Sequence, residues 1–411
     1  MTWLAALICA AIGVSTALGV YLRLRQIAWV AGNREAPPND FAATVTIEEH
    51  RRAADYTLAS TRLATSKTIF EGVLALVWLL FLLTPLYGVI AATTAEGLTR
   101  SVLLVLAFGL AGDVLMLPFD LVETFRLDAR FGLNHQSLGG FLLDELKMAG
   151  LQLAVGAPLL YALFALIRVA PEHWHLYAFV GFMLFVFALM ALYPTLIAPL
   201  FNKFQPLPEG ELRMRLERLL AQCGFASGGL FVMDASARSS RGNAYFSGFG
   251  KAKRIVLFDT LIARHSPEEI ESVLAHELGH YKHGHIRQSL ALMALVSLAG
   301  FFALHWALGP NGLAAAFGAP DDPGIGLIIA LLAKDPITHV LSPLFAWRSR
   351  KAEFEADDFA RKIVGKEPMI SALTRLTRDN LATLTPDVFY ARFYYSHPPA
   401  SVRVAHLREA E

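Results

Sequence analysis

Apolar and polar residues follow one another along this chain in long blocks. Blocks 3–22, 69–92, 102–121, 148–167, 176–199, 289–308 and 325–347 are each long and apolar enough to cross a bilayer, which takes about 20 residues. Each predicts a transmembrane helix, because lipid leaves a backbone N–H or C=O no partner outside its own helix. Two polar stretches stand apart from this series, 201–288 and 348–411. In the first, Leu212, Leu216, Leu219 and Leu220 recur at helical spacing within 209–223. They predict an amphipathic helix that either lies on the membrane or packs as an ordinary surface helix. Strand-like runs follow at 229–233 and 254–258, with NAYFSGFG (Asn243 to Gly250) between them. Ser266, Pro267, Glu268 and Glu269 then read as a helix start, with a capping serine, proline at the first helical position and acids in the first turn. The helix they open is expected to run on towards the sixth span.

Composition agrees with the pattern. Of the 411 residues, 55% are hydrophobic and only 17% charged, against roughly 25% charge in a soluble domain. The chain reads as a multi-pass integral membrane protein, in contact with the lipid bilayer. Its net charge of +1 carries no basic excess for nucleic acid. The first block lacks a basic leader and is nearly a full span, so it is expected to persist as an uncleaved helix. Arg23, Arg25, Arg34, Arg51, Arg52, Arg62 and Lys67 crowd the first loop; Arg126, Arg130 and Lys147 the third; Arg348, Arg350 and Lys351 follow the seventh span. The excess of basic residues on cytoplasmic loops then puts the N-terminus outside and both polar stretches inside, with Arg168 alone against it. The organisation expected is a five-helix membrane part (1–200), a polar segment (201–288), spans six and seven (289–347) and a second polar segment (348–411). Cys9 and Cys223 suggest neither a disulfide nor a zinc pair.

The chemistry starts at HELGH, His276 to His280. Residues four apart on a helix lie about 40° apart in rotation and about 6 Å apart along the axis. His276 and His280 can therefore reach one Zn²⁺ from one face, with Glu277 beside them to take a proton from the attacking water. Five residues of this form also arise by chance, so a third ligand decides the matter. The extended pattern HExxHxxGxxH fails, because His283 and Ile286 stand where its Gly and His should be. The pattern ExxxD on a later helix succeeds: in AEFEADDFA, Glu353 and Asp357 share a face. Glu353 is the expected third ligand, and Asp357 the acceptor that fixes the tautomer of a ligand histidine. Spans six and seven form a hairpin that returns both segments to one side of the membrane. Glu355 and Asp358 are expected to be solvated, His283 to be no ligand, and His285 to lie on the opposite face from the site, where it packs or hydrogen-bonds. In the tail, YYSHPPASVR offers His397 and Arg403 as donors to an oxyanion, though a lone His or Arg is more often structural. Asp113, Asp120 and Glu123 in or beside span three, and Lys334, Asp335 and His339 in span seven, are costly against lipid. They either line water or pair within a packed bundle, and their number favours water.

Together these motifs resemble the Ste24-type CAAX prenyl proteases, integral-membrane zinc metallopeptidases. The resemblance rests on HELGH, EFEAD after a membrane hairpin, and YSHPP with a later Arg. It rests also on FGLNHQ (Phe131 to Gln136), YPTLIAPLFNKFQPL (Tyr193 to Leu207) and SRGNAYFSGF (Ser240 to Phe249). It implies an all-α seven-span membrane protein enclosing a water-filled chamber, plus a mainly α cytoplasmic zinc-protease domain with a small β-sheet. It implies one zinc on His276, His280 and Glu353, and Glu277 as base. Asn243 and Ala244 would bind substrate as an added strand, and His397 and Arg403 would face the active site. The reaction implied is cleavage behind the prenylated cysteine of a C-terminal CaaX box. The competing readings are an HtpX-like quality-control metalloprotease, which the seven spans disfavour, and a non-enzymatic membrane scaffold.

Overall fold

The structure is a computed structural model, and it describes residues 2–38, 41, 44–225, 227–248 and 253–409. Phe249 and Gly250, the end of the NAYFSGFG run, lie outside the described residues. The membrane part is built from α1 (Trp3–Gly32), α2 (Ile47–Val77), α3 (Leu83–Thr93), α4 (Leu98–Val122), α5 (Leu138–Val169), α6 (Trp174–Leu192) and the short α7 (Ala198–Phe201). Three π-helical turns, Trp78–Leu82, Glu123–Asp128 and Tyr193–Ile197, join or extend these into longer rods. A mixed α/β part follows, with β1 (Phe204–Pro206), α8 (Glu211–Gln222), β2 (Leu230–Met233), β3 (Ala244–Ser247), β4 (Arg254–Phe258), α9 (Asp259–Arg264) and α10 (Pro267–Lys282). The chain re-enters the apolar layer with α11 (His285–Ala307), turns through α12 (Leu313–Phe317) and returns along α13 (Pro323–Val364). It ends with α14 (Lys366–Asp379), α15 (Val388–Tyr394) and α16 (Ala400–Glu409).

Seven helical stretches among the described residues are long and apolar enough to cross a membrane, and each coincides with one of the expected spans. Their apolar windows are little buried within the protein, from 0% to 39%. That fits helices whose outer faces meet lipid rather than other protein.

The sheet has the order β1-β2-β4-β3. The two expected strands, β2 and β4, pair in parallel at its centre. β1 and β3 flank them antiparallel, so β3 is an edge strand with one side unpaired within the sheet. The amphipathic helix α8 turns Leu216, Leu219 and Leu220 into the same core as Ile270, Leu274 and Leu278 of α10. Its apolar face is therefore used by the protein and is not left for the membrane. Both cysteines are free.

Two expectations about continuity are corrected. The HELGH helix does not run into span six: Gly284 adopts a left-handed conformation (φ 69°) and separates α10 from α11. Glycine tolerates this at no steric cost. It is span seven that continues unbroken, for 42 residues, into the segment carrying Glu353. Pro336 and Pro343 lie inside that helix without ending it.

Candidate metal centre and active site

Helix α10 is anchored at its start by a capping box. The Ser266 hydroxyl accepts from the Glu269 N–H, and Glu269 accepts from the Ser266 N–H at 2.9 Å. Ser371 of α14 also donates to Glu269, at 2.6 Å. One turn before its end, α10 crosses α13 at Gly279. A Cβ there would lie 2.8 Å from the Ala356 Cα and 3.0 Å from its carbonyl oxygen. The glycine inside HELGH thus lets two backbones touch. Because Ala356 lies between Glu353 and Asp357 in sequence, the crossing presents both acids to the histidines.

His276, His280 and Glu353 come together, each offering one donor atom, all within 4.8 Å of one another. His276 Nε2 and His280 Nε2 lie 3.2 Å apart, and they stand 3.4 and 3.3 Å from the Glu353 oxygens. A tetrahedral zinc with ligand bonds of about 2.0–2.2 Å spaces its donors by about 3.3–3.5 Å. This triangle has that size. Glu353 Oε2 is buried without a well-directed hydrogen bond, although His397 Nδ1 lies 2.7 Å away. A buried anionic oxygen of that kind suits a cation. The donor set, two imidazoles and a carboxylate, is one that zinc accepts in catalytic sites with a fourth position open.

Behind this triangle, His276 Nδ1 lies 2.8 Å from Asp357 Oδ1. Arg403 is buried, and its guanidinium grips Asp357 through two hydrogen bonds of 2.8 and 2.6 Å, with Glu353 3.4 Å from another nitrogen. It stands against the far side of the acids. His397 instead is 64% exposed and lies on the open side of Glu353. Arg350 fixes that segment by donating to the carbonyls of Ala391, Arg392 and Tyr395. Glu277 is half-buried beside both histidines, and burial raises its carboxyl above the ordinary value. Asn243 is exposed at the head of β3 and Ala244 is buried. Asn380 pins the residue before them by bonding both the N–H and the C=O of Gly242, at 3.1 and 3.2 Å. The FGLNHQ run serves as backing for the same loop: the His135 N–H donates to the Arg238 carbonyl, and the Ser240 N–H to the Leu133 carbonyl.

Two residues near the site were placed elsewhere by sequence. His285 is not on the opposite face. The break at Gly284 turns it back onto His280, with the two Nδ1 atoms 2.9 Å apart. Glu355 is not merely solvated, since it lies 2.9 Å from His285 Nε2. The signal available in the sequence was the glycine between His283 and His285, a residue that often ends a helix. His283 faces His285 in a ring stack and is not among the three grouped donors. Asp358 pairs with His406.

Comparisons with known proteins place the chain in a family. A family model described as "CAAX prenyl protease N-terminal, five membrane helices" matches residues 26–203, and one described as "Peptidase family M48" matches residues 206–411. The CAAX prenyl protease 1 homolog of Oryza sativa subsp. japonica is 36% identical over 392 residues, which cover 91% of this chain and 90% of that protein. Its counterpart from Arabidopsis thaliana is 33% identical over 401 residues, covering 93% and 92%. The crystal structure of S. mikatae Ste24p superposes with a TM-score of 0.92 at 27% identity, covering 98% of each chain. With family models matching along both parts and relatives of this identity over nearly its whole length, the chain belongs to the CAAX prenyl protease family of integral-membrane zinc metallopeptidases.

Proposed function

We propose that this protein is an endopeptidase that cuts near the C-terminus of peptides bearing a prenylated CaaX cysteine, with His276, His280 and Glu353 holding its zinc. The observation that carries the reading is the three-donor triangle built from two segments on either side of a membrane hairpin. His276, His280 and Glu353 would hold the zinc, whose chemistry there would be to polarise a scissile carbonyl and to lower the pKa of an attacking water to about 7.

The residues of the chain supply the rest. Glu277 takes the proton from the attacking water and delivers it to the leaving amine. Its half-buried place beside the donors, with the carboxyl raised by burial, suits a group that must both accept and give a proton. His397, on the open side of Glu353, can donate a hydrogen bond to an oxyanion or to bound peptide. Arg403 contributes by holding Asp357 and Glu353 in place from behind. The unpaired side of β3, which begins at Ala244 beside Asn243, can take an extended peptide as an added strand.

The catalytic part faces the cytoplasm in this reading, with the N-terminus outside, because the basic loops fall on one side. A water-filled interior is supported by the charges that converge inside the membrane part. Lys67 pairs with Asp120 at 3.1 Å. Glu71 lies within coulombic reach of Arg23, Lys67, Asp120 and Asp335, and Glu145 of Asp113 and Asp120. These residues come from the first, second, third, fourth and seventh spanning helices, and charges on so many helices are costly unless water reaches them.

The test uses the purified full-length protein and a farnesylated CaaX peptide, with its unprenylated twin and casein alongside. Zinc-dependent cleavage of the farnesylated peptide is expected. Glu277→Gln is expected to keep its zinc while losing about 100- to 10,000-fold in rate, the usual share of a general base. Equal cleavage of all three substrates would overturn the prenyl preference. Full activity of Glu277→Gln would overturn the assignment of the base.

A further inference from the structure

His280 is backed by a chain of two groups. Its Nδ1 lies 2.9 Å from His285 Nδ1, and His285 Nε2 lies 2.9 Å from Glu355 Oε2. An ionised carboxylate can only accept. The proton on His285 therefore sits on Nε2 and is donated to Glu355. His285 Nδ1 is then a bare lone pair, and it accepts the N–H of His280 Nδ1. His280 is left with a bare Nε2, the atom that faces His276 and Glu353. Asp357 does for His276 in one step what Glu355 does for His280 in two.

We propose that His285 and Glu355 are positioning residues for the metal centre: they fix the tautomer and ring orientation of His280 so that its Nε2 is presented to zinc. The inference rests on the reading above that His280 is a ligand. Three features of the fold serve it. Gly284 breaks the helix; on an unbroken helix His285 would stand about 140° round from His280. His285 is itself buried, with the His283 ring stacked against it at 5.6 Å and 14°. Glu355 lines a cavity of about 770 Å³ between α11 and α13 that also touches His285 and His280.

Outer partners of metal-bound histidines are typically worth about 10–100-fold in metal affinity. The experiment is a competition titration of zinc against a chromophoric chelator on the full-length protein in detergent, with circular dichroism as the check on folding. His285→Leu is expected to weaken zinc binding by about 10–100-fold. His285→Asn is expected to stay near the parent, because its Oδ1 can accept where His285 Nδ1 accepts. Glu355→Leu, at a half-exposed position that folding tolerates, is expected to weaken binding while leaving the spectrum unchanged. Parental affinity in His285→Leu or in Glu355→Leu would overturn the proposal. So would an equal loss in His285→Leu and His285→Asn, which would mark packing in place of hydrogen bonding. Zinc retained at full affinity in His280→Ala would instead overturn the ligand assignment on which the proposal stands.

Discussion

Arg403 shows how a residue's place can be read from what its neighbours need. Asp357 is fully buried, and it accepts two hydrogen bonds from Arg403 while lying 2.8 Å from His276 Nδ1. A buried carboxylate without a cation is costly, and removing one partner of such a pair typically costs about 3–5 kcal/mol. Arg403→Leu is therefore expected to lower the thermal unfolding midpoint in zinc-free protein, where no catalysis occurs. Arg403→Lys should recover only part of the loss, because an ammonium cannot match both carboxylate oxygens. An unchanged midpoint in Arg403→Leu would mean that the residue acts on substrate alone. At this scale the sequence was informative wherever chemistry needs fixed spacing. His276, Glu277 and His280 are tied by helix geometry, and Glu353 and Asp357 by the same rule. It was silent on Arg403's partner, because a contact across 46 positions leaves no local periodicity.

Between helices, the decisive contact is the crossing of α10 and α13 at Gly279. Any side chain there meets the Ala356 backbone, and backbone cannot swing aside. Gly279→Ala is expected to push the helices apart by a few tenths of an ångström, at about 1–3 kcal/mol for overpacking. Glu353 would move away from the histidines with its helix. Zinc affinity and peptidase activity should then fall together while the helical circular dichroism stays. Unchanged affinity would show that the site can follow the displacement. The element scale is also where sequence reading met its limits. α13 reads as two pieces, because the apolar run of span seven ends at Trp347 and the residues turn polar at Arg348. α10 and α11 read as one, because a single glycine costs a helix only about 1 kcal/mol. β1 is three residues long and ends in Pro206, and β3 lies in the NAYFSGFG run, where polar and glycine residues leave no apolar stretch like that of β2 or β4.

At the scale of the molecule, the proposed metal site joins two bodies that the chain connects only through the membrane. α10 belongs to the polar segment after span five, while Glu353 rides on the continuation of span seven. The seven spans were legible because lipid demands unbroken apolar helices. The way they hold the site was not, because it depends on which helix continues beyond the apolar layer. The consequence is thermodynamic. A ligand that binds only the folded arrangement stabilises it by about 2.7 kcal/mol at 100 times its Kd. Zinc should therefore stiffen the α10–α13 crossing more than the spans themselves. Amide hydrogen exchange measured with zinc and with chelator is expected to show faster exchange on chelation across 270–282 and 350–360, with little change across 102–121. In Glu353→Ala the difference between the two conditions should vanish, because the bridge between the two bodies has lost its second anchor. Chelation that loosened all seven spans equally would show that the metal stabilises the whole membrane part, and that α13 transmits the constraint along its full 42 residues.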